Sequence, residues 1–157
     1  LVRWDAIRND ERQIRPDGRA HRAQRGRMSQ VRREPLVVMD GGHNPQCMAA
    51  LGENIRDYLP GRPLTVLTGV LRDKDYRHMY APLLPCAARF ITVTPDSPRA
   101  LPAQELAAYL APLGKPVTAC ASVAEGAALA LDSAADGAVL CCGSLYLMGE
   151  AEAALTR

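Results

Sequence analysis

The chain has 157 residues, which suits one domain built around a single hydrophobic core. Hydrophobic residues make up 48% of the chain and charged residues 23%, a balance that excludes disorder over its whole length. No apolar run approaches the ~20 residues of a membrane-spanning helix, and the chain does not begin with a secretory signal, so a soluble, cytoplasmic protein without a membrane partner is expected.

Positive charge is concentrated at the beginning of the chain. Residues 1–35 contain ten arginines and five acids, whereas residues 36–157 contain nine basic and twelve acidic residues. A basic segment of this kind could neutralise nucleic-acid phosphates. Its acids are interspersed, however, and its only aromatic residue is Trp4, so a solvated mixed-charge surface is preferred and no nucleic-acid partner is expected. Residues 1–25 are interpreted as a linker or the remnant of a preceding segment, and residues 26–157 as the domain.

From residue 36 onwards, short apolar runs alternate with stretches of helical periodicity. RMSQVRRE (27–34) has the alternating character of an additional edge strand. Five further strands are predicted, at LVVMD (36–40), LTVLTGV (64–70), RFITVTP (89–95), PVTAC (116–120) and AVLCCGS (138–144).

A helix is predicted after each of these five strands. The first carries Met48, Leu51, Ile55 and Leu59 on one face and ends at Pro60-Gly61. A shorter helix is expected near 75–84, stopped at Pro85. The remaining three are indicated by the spacing of Leu106, Tyr109, Leu110 and Leu113, by a capping box formed by Ser122 and Glu125, and by the apolar stretch at about 146–156.

Successive strand–helix units favour a parallel sheet, because parallel neighbours need crossover connections. The central strands are nearly continuous in apolar residues, as expected when both faces of a sheet are covered. The sequence therefore predicts an open, mostly parallel, Rossmann-like α/β sheet of about five or six strands with helices on both faces.

Ligands of such sheets bind beyond the carboxyl ends of the strands, which directs attention to the first strand end. The segment Asp40-Gly41-Gly42-His43-Asn44-Pro45 joins a strand to a helix whose free N–H groups favour an anion. Asp40 could accept hydrogen bonds from ribose hydroxyls, and His43 could contact a phosphate or carboxylate. The alternative is that Asp40 and Asn44 are turn and cap residues and that His43 is solvated.

Two other strand ends carry polar residues. Arg72-Asp73-Lys74-Asp75 could position a phosphate or begin a helix, and Gly143-Ser144 could receive a carboxylate or cap the last helix. If the predicted strands at 36–40 and 138–144 are neighbours in the sheet, the helices that follow them begin side by side and their N-termini converge on one pocket.

Some nucleotide and catalytic motifs are absent from this sequence. It contains no G-x-x-x-x-G-K-[ST], no G-x-G-x-x-G after the first strand and no G-x-S-x-G elbow. The five cysteines show no CxxC spacing, so neither a disulfide framework nor a zinc site is predicted and no metal ligand is assigned. Most are interpreted as small buried hydrophobes, with Cys47 the best placed for a nucleophile because it follows a helix start.

Three motifs together resemble the carboxyl-terminal domain of folylpolyglutamate synthase/dihydrofolate synthase, in the Mur ligase superfamily. They are VVMDGGHNPQCMAAL, similar to the family's D-G-A-H-N-P; TGVLRDKD, similar to G-x-x-x-D-K-D; and CCGSLYLMGE, similar to G-S-L-Y-L-x-G-E. Each lies at the end of a predicted strand, in the family's order. Gly42 stands where the family usually has alanine, and both residues are small.

The resemblance implies ATP-dependent ligation of L-glutamate to folate or dihydropteroate through an acyl phosphate. It places Mg²⁺ and the P-loop on an amino-terminal domain, without which the chain is expected to be inactive. It assigns ATP phosphate and catalysis to Arg27, the ATP ribose to Asp40, and the glutamate and acyl-phosphate side to His43 and Ser144, with His43 also catalytic. Asp73 and Lys74 match the D-K-D motif, with a loop-ordering role.

Two other classes of protein stay open at this point. A stand-alone α/β module could bind a nucleotide or an acidic metabolite without catalysis, and a start codon just before Leu1 would favour it. A receiver-like domain fits less well because the strand-end acids are not clustered as a phosphorylation site requires. The sequence does not separate dihydrofolate synthase, folylpolyglutamate synthase and a bifunctional enzyme, nor does it give the oligomeric state.

Overall fold

A computed structural model of the protein describes residues 28–135 and 137–156, and Arg27 with the segment 1–25 lies outside that range. The described residues form six strands: β1 Met28–Arg32, β2 Leu36–Asp40, β3 Leu64–Thr68, β4 Ala87–Thr92, β5 Val117–Ala119 and β6 Ala138–Cys142. They also form four α-helices: α1 Pro45–Tyr58, α2 Ala103–Leu110, α3 Val123–Ser133 and α4 Leu145–Leu155. Short 3₁₀ turns cover Tyr76–His78, Ala81–Leu83 and Ala111–Leu113.

The strands make one sheet in the order β1-β2-β6-β3-β4-β5. Strand β1 pairs antiparallel with β2 at one edge, and the other pairings are parallel. The predicted edge strand and the mostly parallel sheet are therefore confirmed. Strand β6 lies between β2 and β3, which brings the carboxyl ends of these three strands together at the centre of one sheet edge.

Both faces of the sheet are covered, as predicted. Val38, Val66 and Leu140 belong to the hydrophobic cluster that contains the buried side chains of α1 and α2. The residues one position away, Val37, Leu67 and Val139, belong to the cluster that contains α3 and α4. Because successive strand side chains point to opposite faces, the continuous apolar runs supply both layers.

The prediction of a helix near 75–84 is wrong. The segment instead makes the two short 3₁₀ turns Tyr76–His78 and Ala81–Leu83. Pro82 stands inside the predicted span, where its ring and its missing N–H oppose a continuous α-helix. Pro112 has the same effect after α2, so Leu113 lies in a 3₁₀ turn rather than in the helix.

The second predicted strand extends too far. Strand β3 ends at Thr68 instead of at residue 70, and Gly69 passes close to the carbonyl of Val93. A Cβ atom on Gly69 would lie 2.6 Å from that oxygen. The chain therefore leaves the ladder at a glycine that permits close backbone approach.

Candidate functional site

The turn between β2 and α1 is held by its own polar side chains. Asp40 is buried, and one carboxylate oxygen accepts a hydrogen bond from the N–H of Gly42 at 2.7 Å. Asn44 is the N-cap of α1, its side chain accepting from the N–H of Cys47 at 2.8 Å, and Pro45 occupies the first turn. These contacts confirm the predicted cap and show that Asp40 orders the turn.

The turn between β6 and α4 lies directly beside the first one. The N–H of Gly143 donates to the carbonyl of Gly42 at 3.1 Å, which joins the two turns. Ser144 is buried and caps α4, its Oγ accepting from the N–H of Tyr146 at 3.1 Å. The predicted adjacency of the two strand ends is therefore confirmed, and their helices begin side by side.

A small pocket of about 120 Å³ opens where these two turns meet. His43, Lys74 and Ser144, three of the predicted site residues, line it together with Gly143. The other lining residues are Leu71, Arg99, Leu145 and Tyr146. Asp40 and Asp73 do not line it, and Arg27 lies outside the described residues. The roles assigned to all six predicted residues stay predictions.

The imidazole of His43 is oriented by its own turn. Its Nδ1 lies 3.1 Å from the carbonyl oxygen of Gly41. A carbonyl can only accept, so this contact requires a proton on Nδ1. In neutral imidazole the other nitrogen, Nε2, is then a proton acceptor.

Arg99 is a lining residue that the sequence patterns did not single out. One of its Nη atoms lies 2.8 Å from a carboxylate oxygen of Asp73, and its guanidinium carbon lies 5.9 Å from the ring centroid of Tyr146. Contacts with Tyr146 and with the Asp73 carboxylate raise the pKa of Arg99 above its usual value. Asp73 therefore positions a cation that lines the pocket.

A buried polar pair lies below the strand ends. Thr68 Oγ1 and the hydroxyl of Tyr80 are 2.7 Å apart, and the Tyr80 ring packs edge-on against Phe90. Burial is the main cause that raises the pKa of Tyr80 well above its ordinary range. The Tyr80 hydroxyl therefore keeps its proton at neutral pH, and its contact with Thr68 supports the end of β3.

Most of the cysteines are buried, as the sequence predicted. Cys120, Cys141 and Cys142 are buried, and Cys47 and Cys86 are half-buried. Burial raises the pKa of Cys141 to about 12 and that of Cys142 well above its usual value. These two thiols are therefore protonated and inert at neutral pH. The nucleophilic role considered for Cys47 stays a prediction.

Residues 28–135 and 137–156 contain neither a candidate metal cluster nor a membrane-spanning helix. Among them, no group of three or more histidine, cysteine, aspartate or glutamate side chains could hold a metal ion. None of the helices in this range is long and apolar enough to cross a membrane.

Comparison with known proteins gives consistent matches. Residues 26–145 match the family model described as Mur ligase, glutamate ligase domain. The chain is 35% identical over 135 residues to a probable bifunctional folylpolyglutamate synthase/dihydropteroate synthase of Halobacterium salinarum, covering 84% of this chain and 16% of that protein. It is also 35% identical to the folylpolyglutamate synthase of Lacticaseibacillus casei, covering 77% of this chain and 27% of that one.

Solved structures agree with the sequence matches. Mycobacterium tuberculosis folylpolyglutamate synthase complexed with ADP superposes with a TM-score of 0.75 and 26% identity, covering 83% of this chain and 32% of that one. The E. coli FolC protein in complex with DHPP and ADP gives a TM-score of 0.64 and 31% identity, over 73% and 27% of the two chains. The chain thus spans about a third or less of each of these four proteins.

Proposed function

The chain belongs to the family of Mur ligase glutamate ligase domains, and from that membership we propose that it supplies the glutamate-binding part of an ATP-dependent ligase. The reaction joins L-glutamate to the carboxylate of folate or dihydropteroate through an acyl phosphate. The observation that carries this proposal is the pocket between the β2–α1 and β6–α4 turns, which combines two cations, a helix N-terminus and an oriented histidine.

The pocket suits a substrate with two carboxylates. Lys74 and Arg99 supply positive charge, and α4 begins at the pocket with N–H groups that have no partner inside the helix. Glutamate held by both carboxylates presents its nitrogen in a fixed direction, and such positioning accounts for much of the rate of a reaction between two bound substrates. Tyr146 keeps the Arg99 guanidinium over its ring and restricts its orientation.

His43 gives the pocket a proton acceptor. The glutamate nitrogen must lose a proton before its lone pair can attack the acyl phosphate, and Nε2 of neutral His43 can take that proton. The new amide then forms as the bond from the acyl carbon to phosphate oxygen breaks, and the second nitrogen proton leaves with the inorganic phosphate. His43 acts in this scheme as a general base whose orientation is set by the Gly41 carbonyl.

ATP and Mg²⁺ are assigned mainly to an amino-terminal P-loop domain of the same enzyme. The sequence of this chain contains no G-x-x-x-x-G-K-[ST]. Two of the structural neighbours are described as complexed with ADP, which supports a nucleotide as substrate. Within this chain, Arg27 is assigned to the ATP phosphate and Asp40 to the ribose.

The pocket assignment predicts a selective loss of glutamate affinity. In an enzyme where this domain is joined to a P-loop domain, His43→Ala, Ser144→Ala and Arg99→Ala should raise the KM for glutamate far more than the KM for ATP. Losing one charged hydrogen bond corresponds to roughly ten- to a hundred-fold. Initial rates measured over separate glutamate and ATP titrations give the two constants.

Ser144→Ala also removes the cap of α4, so about 1 kcal/mol of stability is lost whether or not the hydroxyl binds substrate. Ser144→Thr keeps a capping hydroxyl and should retain glutamate binding. Arg72→Ala is the matched arginine control, because Arg72 pairs with Glu105 and does not line the pocket. A lowered melting temperature with an unchanged KM for glutamate would refute the binding role of Ser144.

The nucleotide assignment makes a different prediction. Arg27→Ala should mainly lower kcat, because its charge is needed as charge develops on the phosphate in the transition state. Asp40→Ala should mainly raise the KM for ATP, with an added loss of stability because Gly42 loses its hydrogen-bond acceptor. Steady-state kinetics of both variants test the assignment of Arg27 and Asp40 to ATP. Near wild-type kcat and KM in both variants would show that the assignment is wrong.

A further inference from the structure

A second cavity, called the cleft below, opens at the end of the sheet opposite the pocket. Its volume is about 670 Å³, within the range of small-molecule sites. Pro63 immediately precedes β3, and Ala87 is the first residue of β4, so this cleft lies at the amino ends of the strands. His43 and Ser144 follow the carboxyl ends of β2 and β6. The two sites are therefore separated by the length of the sheet.

The rim of the cleft is cationic. Arg56 at the end of α1, Arg62 in the following loop and Lys115 before β5 all line it. Within the described part of the chain, none of these three side chains forms an ion pair. Among the residues that the structure describes, none that lines the cleft is acidic. Three cations that form no ion pair with a described residue, gathered around one cavity, favour a ligand that carries several negative charges.

The wall between these cations is largely apolar. Ile55, Leu59, Pro63, Pro85 and Ala87 all contribute to it. Cys86 stands in the same wall, where burial raises the pKa of its thiol while the charges of Arg56 and Lys115 oppose that rise. The two cations thus act on the same point in the cleft. A ligand that fits has an apolar or aromatic body as well as multiple carboxylates.

We propose that this cleft is a second, non-catalytic binding site for the glutamate-extended folate product. This inference rests on the proposed function. Each ligation consumes one carboxylate in the new amide and brings two with the added glutamate, so the product gains one negative charge per cycle. A flat aromatic body with a lengthening row of carboxylates matches an apolar wall with a cationic rim. Affinity for the cleft therefore increases with the number of glutamates.

Calorimetric titration of this chain tests the proposal. The probes are folate carrying four glutamates, folate carrying one, a glutamate tetrapeptide without the folate body, and inorganic phosphate. The tetraglutamate form should bind best and should weaken as salt is raised. Arg56→Ala, Arg62→Ala and Lys115→Ala should each weaken it by roughly two- to five-fold, the range typical of solvent-exposed ion pairs. Lys115→Arg should retain binding.

Arg33→Ala is the control, since this exposed arginine lies outside the cleft. The proposal would be overturned if the three cleft variants bound the tetraglutamate form as tightly as the unsubstituted chain does. It would also be overturned if the tetraglutamate form bound no tighter than inorganic phosphate. The glutamate tetrapeptide measures what the charges contribute without the aromatic body. If it bound as tightly as the tetraglutamate form of folate, the apolar wall would have no part in binding.

Failure of the proposed function is recognised separately. His43→Ala and Ser144→Ala alter the pocket at the other sheet edge and should leave tetraglutamate binding at the cleft unchanged. If those variants do not change the KM for glutamate, the catalytic assignment fails whatever the cleft binds. If only the cleft variants leave the affinity for the tetraglutamate form unchanged, the proposal of a second site is wrong and the catalytic assignment stands.

Discussion

Gly143 is the residue on which the close approach of β3 and the β6–α4 turn depends. Its φ of 113° belongs to the left-handed region that side chains disfavour. A Cβ atom there would lie 2.6 Å from the Gly69 carbonyl oxygen and 2.6 Å from Thr68 Oγ1. Strand end β3 and the β6–α4 turn can approach this closely only because Gly143 has no side chain.

Replacing Gly143 by alanine should therefore lower the free energy of unfolding by about 1–3 kcal/mol, through backbone strain and steric overlap. Urea unfolding followed by circular dichroism measures the loss. Gly149→Ala is a matched control in the adjacent helix α4, where an added Cβ meets nothing within 4 Å. That change should stabilise the protein by about 0.5–1 kcal/mol, as expected in a helix interior. Equal effects of the two substitutions would contradict the argument.

The site residues differ in how well sequence alone could find them. His43, Lys74 and Ser144 follow strand ends, and chain order together with parallel pairing predicts that such residues share one edge of the sheet. Arg99 comes from a proline-containing loop after β4, and its place depends on side-chain contacts with Asp73 and Tyr146. Neither periodicity nor spacing specifies contacts between long side chains on separate loops.

At the scale of elements, the central strands were the most predictable. Strands β2 and β6 are buried at every position, and such continuous apolar runs are recognisable without a structure. The predicted helix at 75–84 failed because residues such as Met79, Tyr80 and Leu83 are buried and mimic helical spacing. Their burial is real, but Pro82 prevents the α-helical hydrogen bonds that periodicity alone implies.

Strand position in the sheet predicts a gradient of local stability. Strands β3 and β6 are central and fully buried, whereas β5 is an edge strand of three residues with no buried position. Backbone amides of β3 and β6 should exchange with solvent slowest, at rates set by global unfolding, and those of β5 much faster. Hydrogen exchange read by mass spectrometry distinguishes these segments. Equal protection of β5 and β6 would show that the sheet opens only as one unit.

At the scale of the whole molecule, the sheet presents two edges with different chemistry. The carboxyl-end edge joins two helix N-termini to the pocket of His43, Lys74 and Arg99. The amino-end edge carries the cleft of Arg56, Arg62 and Lys115. Phosphoryl chemistry on ATP requires a further set of groups that cradle the β- and γ-phosphates and the metal. In the proposed ligase those groups belong to the P-loop domain, so catalysis depends on two domains closing on each other.

This division predicts that the 157-residue chain folds but does not turn over ATP. With ATP, Mg²⁺, folate and glutamate present, the purified chain should release no ADP above the background of a mock preparation. The reason is that its sequence has no P-loop to position the γ-phosphate for attack by the folate carboxylate. A coupled assay for ADP measures the rate, and a cooperative thermal transition of the same sample shows that the chain is folded. Glutamate-dependent ADP release by the folded chain would place the phosphoryl-transfer groups within these residues and overturn the two-domain assignment.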